Sequence, residues 1–280
     1  MEQAVSDHQL HPTAVVGPRA RLAPDVRVGA YAVIEDGAEI GAGCVIGPHA
    51  VVHGSVQMGP GNRVGAHAVL GGDPQHLGFD PALATGVRIG ADNVFREGVT
   101  VNRASLPAAP TTIGSRCYLM NLVHLGHDCS VADGVILATG VALGGHVEIG
   151  AEAFLGGGVM VHQFCRIGEL AMVRGMAGIG KDVLPFSLVA GNPVQHYRLN
   201  LVGLRRAGLA REEIAALQTA FRALRRRQPG QTAHPRPEHD ASQPSPLQRL
   251  LDWHEAPSRR GLAPFARPTK RREARVVDDG

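Results

Sequence analysis

The chain has 280 residues, room for one large domain or two small ones. With 36 glycines and 4% aromatic residues, it suits tight turns and small inward side chains better than a packed aromatic core. The net charge of +3 is unevenly spread: from Arg205 onward, 16 Lys and Arg oppose 9 Asp and Glu, a basic surplus that fits an acidic partner, phosphates, or a solvated helical face and tail.

In chain order, residues 1–10 are read as a flexible N-terminus. MEQAVSDHQL lacks the basic start and apolar run of a signal peptide. No stretch approaches 18 uninterrupted apolar residues, so no transmembrane segment is expected and the location is read as cytoplasmic. No nucleic-acid partner is expected.

From Val16 an apolar residue recurs every six positions: Val16, Leu22, Val28, Ile34, Ile40, Ile46, Val52, Met58, Val64, Leu70. The ladder resumes at Ile89, Phe95 and Val101, and again from Ile113 to Ile179. A helix repeats every 3.6 residues and a strand every two, so a period of six means a short strand plus a turn, repeated. The residue after the ladder position is often Gly (Gly41, Gly47, Gly144, Gly150), which fits a sharp backbone bend. Four positions after it stands a small or β-branched residue such as Ala32, Ala38, Val123 or Val141. Three hexads close one triangular coil, so residues 18 apart stack as parallel strands about 4.8 Å apart. The fold is therefore read as mainly β, a parallel β-helix over residues 11–192, with a small α-helical C-terminal domain.

Two interruptions are read as loops, 71–88 and 104–112, and loops on a rigid scaffold commonly carry function. The period stops near Asn192-Pro193. A helical domain is expected over 193–227, with an apolar stripe through Leu201, Leu204, Ile214, Leu217, Phe221 and Leu224. Residues 228–246, rich in Pro, Gln, Ser and His, read as a flexible linker. Within 247–280, LQRLLDWHE reads as a short amphipathic helix and the basic end as disordered.

Cys44, Cys117, Cys129 and Cys165 all fall on the small inward position. They are read as core residues, without disulfide, metal or nucleophilic role.

The same register gathers histidines. Leu125, Leu143 and Val161 are 18 apart, and His127, His146 and His162 follow them by two, three and one residues, with His124 just before Leu125. Four histidines near one edge of adjacent coils form a cluster. Two chemistries fit: metal binding by neutral imidazoles, or general-base catalysis, with Asp128 beside His127 to fix its tautomer. No Ser or Cys stands as a nucleophile, which favours direct transfer over a covalent intermediate. Gly144-Gly145 leaves backbone N–H groups accessible as an oxyanion site.

HPTAVV (11–16), LGHDC (125–129), GGHVEIG (144–150), VHQFCRIG (161–168) and GNPVQHYRLNLVGLRRAG (191–208) resemble the acyl-ACP:UDP-N-acetylglucosamine O-acyltransferases of lipid A biosynthesis, with a fainter likeness at SRRGL (258–262). The resemblance implies a left-handed parallel β-helix (a hexapeptide-repeat solenoid), a homotrimer with sites between neighbouring coils, and transfer of a 3-hydroxyacyl chain from acyl carrier protein to the sugar 3-hydroxyl. It implies His127 as base, Asp128 as its orienting partner and Gly145 as the oxyanion donor. It places Gln75, His124, His146, His162 and Gln163 around the sugar and acyl sites, and Asn200 and Arg206 toward the nucleotide. Met172, Arg174 and Gly175 fall in the acyl-chain region. It requires no cofactor and no metal, and it makes the basic C-terminal helices the receiver of the acidic carrier protein.

Departures from the family pattern stand at His76 and Gly78, where it usually has Asp and Lys. Others are Asn102 for a histidine, Ala104 for a glycine, Val202 for a glutamate, Ala207 for an arginine and Arg174 for a glycine. Such changes fit a related acyltransferase with another acceptor or weak activity, or a non-catalytic trimeric scaffold. A metal-dependent hexapeptide enzyme such as a γ-type carbonic anhydrase is a further alternative.

Overall fold

The computed structural model describes residues 9–226 and 244–267. Most of the expected N-terminal segment, the linker over 228–243 and the basic tail beyond 267 lie outside the described residues.

The six-residue period folds as expected. Strands mostly two residues long, such as Val45–Ile46 and His124–Leu125, join corners into coils, and the coils stack in parallel. Three sheets of 11, 9 and 8 strands form the sides of the prism. The register is 18, pairing Leu125 with Leu143 and Leu143 with Val161. Ladder residues Ile34, Ile46, Leu70, Leu119, Leu125, Leu137, Leu143 and Leu155 point inward and are under 2% exposed. Each such side chain contributes roughly 1.5–3 kcal/mol by leaving water. Ala32, Ala38, Ala50 and Ala68 share the interior, as do all four cysteines. Burial pushes the Cys129 thiol up to about 12 and Cys165 to about 11, so both stay protonated and inert.

Two positions of the small-residue row are asparagines. Asn62 and Asn93 are fully buried and use their amides to bond adjacent turns: Asn62 donates to Gly59 and Gly90 carbonyls and accepts the Asn93 N–H, and Asn93 accepts the Cys117 N–H. Their burial is tolerated because the amides are bonded.

The glycines after the ladder positions serve a purpose different from the expected bend. Apart from Gly71 after Leu70, with φ of 89°, their backbones are not left-handed; the left-handed corners fall elsewhere, at residues such as His49, Asp128, His146 and Phe164, with φ of 57°, 59°, 58° and 64°. Gly41 is needed because the next coil runs too close: a Cβ there would stand 2.6 Å from the Gly59 carbonyl carbon.

Both loops leave the prism between faces. Met58 pairs with Ile89 and Ile89 with Ile113, separations of 31 and 24 instead of 18, so the ladder resumes on the next face after each excursion. Arg103 fixes the first loop, bonding the Asp73 carboxylate at 2.8 Å and the Pro81 and Leu83 carbonyls, with its guanidinium over Phe79.

The C-terminal part departs from expectation in two places. The sheet does not end at 192: Ser187–Ala190 pairs in parallel with the preceding coil and antiparallel with a further strand, Gln195–Leu199, where a helical domain was expected from 193. The tail is also not unstructured from 256. Leu262 bridges Asp182 and Phe265 bridges His196, so residues 261–266 lie as a strap across the end of the coil. The helices are α1 (Leu201–Arg206), α2 (Arg211–Arg226) and α3 (Pro246–Glu255). Leu204, Leu217, Phe221, Leu224 and Leu250 close over Leu184 and Phe186 in a second apolar cluster that seals this end of the prism.

Candidate active site

The histidines gather as the register dictates. His124 lies on the strand His124–Leu125, and His127 follows the ladder residue Leu125 by two, just before a corner. The left-handed corner at Asp128 turns its carboxylate back against the neighbouring ring: His127 Nδ1 lies 2.6 Å from Asp128 Oδ2. Both side chains are largely buried, at 16% and 12% exposure. With an ionised carboxylate as acceptor, Nδ1 carries a proton, and in the neutral ring Nε2 is then the bare nitrogen. The ring lies against Gly145, where a Cβ would stand 2.6 Å from Cε1 and 2.7 Å from Nε2. The Gly145 N–H donates to no group among the described residues.

Asp128 holds more than His127. Ser105 donates its N–H to both carboxylate oxygens at 3.1 Å and its hydroxyl to Oδ2 at 2.6 Å. Thr111 Oγ1 accepts the Asp128 N–H at 2.8 Å, and His146 Nε2 lies 3.5 Å from Oδ2. Burial pushes the Asp128 carboxyl upward, but the bonds from Ser105 and His127 outweigh it and hold the group below its ordinary value. Burial lowers His146 and His124, favouring the neutral imidazole in each. His124 Nδ1 is 2.8 Å from Thr100 Oγ1. His146 stacks on Phe164 with centroids 4.6 Å apart, and Arg259, from the segment after α3, covers that same ring at 4.8 Å.

A groove of about 700 Å³ runs along this edge. Its walls include Gln75, His124, His127, Gly145, His162 and Gln163. Asn102 also lines it, and His76 approaches His127 to 6.2 Å between ring centroids. Six expected residues thus share one groove, and two more touch His127 without lining it: Asp128 at 2.6 Å and the His146 ring, with centroids 5.2 Å apart. Five others stand apart from its lining. Arg174 and Gly175 are exposed, Met172 pairs with Phe154 and Leu188, and Arg206 is exposed in the last turn of α1. Asn200 caps α1, accepting the Gly203 N–H at 3.1 Å and donating to the Leu170 carbonyl at 2.9 Å.

Sequence reasoning did not single out Ser105, Thr111, Thr100, Phe164 or Arg259. Phe164 was reachable, since it is 18 residues after His146. The loop and tail residues carried no periodic signal.

A three-sided prism of six-residue turns with a His–Asp pair set into a groove between its coils is the architecture of a hexapeptide-repeat transferase. Residues 37–72 match the family described as "Bacterial transferase hexapeptide (six repeats)", and residues 182–263 match "Udp N-acetylglucosamine O-acyltransferase; Domain 2". The acyl-[acyl-carrier-protein]–UDP-N-acetylglucosamine O-acyltransferase of Thiobacillus denitrificans is 40% identical over 248 residues, 87% of this chain and 95% of that protein. The protein of the same name from Synechocystis is 49% identical over 140 residues, a match spanning about half of each chain (50% and 51%). The structure of UDP-N-acetylglucosamine acyltransferase from Francisella novicida superposes with a TM-score of 0.83 at 28% identity, over 92% of this chain and 95% of that one. The chain belongs to the UDP-N-acetylglucosamine O-acyltransferase family.

Proposed function

We propose that this chain moves a 3-hydroxyacyl group from acyl carrier protein to the 3-hydroxyl of UDP-N-acetylglucosamine, the first step of lipid A biosynthesis. The observation that carries the reading is the 2.6 Å contact between His127 and Asp128, made by a ring that lies against Gly145 in the groove. His127 Nε2 takes the proton of the sugar hydroxyl as its oxygen attacks the thioester carbonyl. The Gly145 N–H stabilises the oxyanion, and the carrier's thiolate leaves and recovers the proton. Gln75, His124, His162 and Gln163 line the acceptor and acyl positions, and His146 supports the base from behind. No metal or other cofactor takes part.

Met172, Arg174, Gly175 and Arg206 reach a substrate only if a neighbouring copy supplies them, which is the argument for a homotrimer with its sites between subunits. Asn200 contributes by fixing the first turn of the helix that carries Arg206. The exposed arginines of α1 and α2 receive the acidic carrier protein, and the enzyme works in the cytoplasm.

The decisive experiment is a transfer assay with UDP-N-acetylglucosamine and a panel of 3-hydroxyacyl carrier proteins. Wild type forms product, and His127→Ala loses on the order of 10²–10⁴-fold in kcat. Near-full activity in that variant would show that His127 is not the base. No product with any donor, from folded wild type, would point to a different acceptor. A second reading has one observation in its favour: ligand atoms of His127, Asp128 and His146 all lie within 4.8 Å of one another, a grouping able to hold a metal ion. A stoichiometric metal in the purified protein, with activity lost on chelation, would favour it.

A further inference from the structure

We propose that Ser105 is a positioning residue for this reaction: it keeps the Asp128 carboxylate turned toward His127 Nδ1, and thereby keeps His127 Nε2 bare on the groove side. The inference rests on the reading of His127 as the base.

Asp128 sits at an outward corner of the prism with φ of 59°. A carboxylate on such a corner has a broad terminal torsion and more than one partner within reach. His127 Nδ1 lies 2.6 Å from Oδ2, and His146 Nε2 lies 3.5 Å from the same oxygen. Rotation toward His146 would release the proton on His127 Nδ1, and with it the choice of tautomer that makes Nε2 the base. Ser105 blocks that rotation. Its N–H reaches both oxygens at 3.1 Å and its hydroxyl reaches Oδ2 at 2.6 Å, so two donors from one residue fix the plane of the carboxylate.

The placement of the second loop agrees. The loop leaves the strand Thr100–Asn102 shortly before Ser105, and the next strand begins at Thr111. Ser105, early in the loop, holds the Asp128 side chain, while Thr111, the first residue of the strand after it, accepts the Asp128 N–H at 2.8 Å. Asp128 is therefore held on two sides, its carboxylate by the loop and its backbone N–H by the strand that follows. A loop that served only to connect two faces of the prism would have no need to converge on the partner of the base.

Ser105 never touches the reacting atoms in this scheme, and its hydroxyl proton stays on the serine. Its removal therefore acts on turnover through Asp128. In the transfer assay with full-length protein, Ser105→Ala lowers kcat about 10- to 100-fold, the effect of losing one hydrogen bond to a charged group. KM for the sugar nucleotide changes less than about threefold, and Ser105→Thr restores most of the rate. In an Asp128→Asn background, adding Ser105→Ala costs nothing further, because the group it acts through is already gone. Thermal melting confirms that each variant is folded. Should Ser105→Ala fail to fold, Ser105→Cys, of similar volume but a weaker donor, carries the same comparison.

Wild-type kcat in Ser105→Ala, with His127→Ala and Asp128→Asn both impaired, would overturn the role of Ser105 and leave the base in place. An equal loss in wild-type and Asp128→Asn backgrounds would make Ser105 a loop anchor only. Near-full activity in His127→Ala would remove the base, and this proposal with it.

Discussion

A single methyl group decides whether the His127 ring can lie where it does. The His127 ring fills the space a Cβ on Gly145 would need, at 2.6–2.7 Å from Cε1 and Nε2. Gly145 is not among the left-handed residues, so alanine suits its backbone and only the imidazole must move. Gly145→Ala is therefore expected to fold normally and lose on the order of 10²-fold in kcat, the effect of displacing a reacting group by about 1 Å. Wild-type turnover in the folded variant would show that the ring does not work from this position. The His127-Asp128 adjacency was legible in the chain, and the register was enough to gather His124, His146 and His162. Whether the adjacent pair touches was not legible. That contact depends on a left-handed corner at Asp128 and on Ser105, which lies 23 residues earlier in a segment without any period. Asn102, noted only as a departure from the family pattern, proves to line the groove while its amide donates to the Asp73 carbonyl at 2.8 Å.

The strand Gln195–Leu199 and the strap over 261–266 meet at His196. Its imidazole is fully buried, accepting the Leu184 N–H at Nε2 and donating from Nδ1 to the Ala263 carbonyl. Burial lowers its pKa to about 4. In the unfolded chain the same group titrates near 6.5. Between those values the unfolded chain binds a proton that the fold excludes, so stability rises with pH there. This contribution is complete above about pH 6.5 and is lost as pH falls toward 4, a change of about 3 kcal/mol. Melting curves from pH 7 to pH 4 should show the drop, and His196→Gln, which cannot titrate, should flatten it. An unchanged slope in that variant would assign the acid sensitivity to other groups. These elements escaped the sequence for a physical reason. The helices announce themselves by an apolar stripe, whereas QHYRL has neither the six-residue period nor clean alternation. The strap is held by backbone bridges to Asp182 and His196, which no side-chain pattern encodes.

The prism itself was the most legible feature, because a solenoid repeats one local problem and each coil meets only its neighbours. Period, inward row, coil size and the burial of all four cysteines follow from the spacing alone. The glycines show its limit. They were visible, but their cause, the closeness of stacked backbones, belongs to a distance between coils and not to any one turn. The two ends of the stack also differ in a way the period cannot express. At the C-terminal end Leu184 and Phe186 lie sealed under α1, α2 and α3. At the N-terminal end, among the described residues, the strand Gln9–Leu10 has a neighbour on one side only, and Leu10 and Val15 stand 40% and 61% exposed. Such a stack unravels directionally, since opening the first coil breaks one interface and opening an interior coil breaks two. Amide hydrogen exchange should be fastest near Val15–Val16, slow progressively along the chain, and be slowest around Leu125, Leu143 and Val161. Uniform protection would show that the whole prism opens at once. With the groove on the slow side of that gradient, opening of the first turns would leave His127, Asp128 and Ser105 in place.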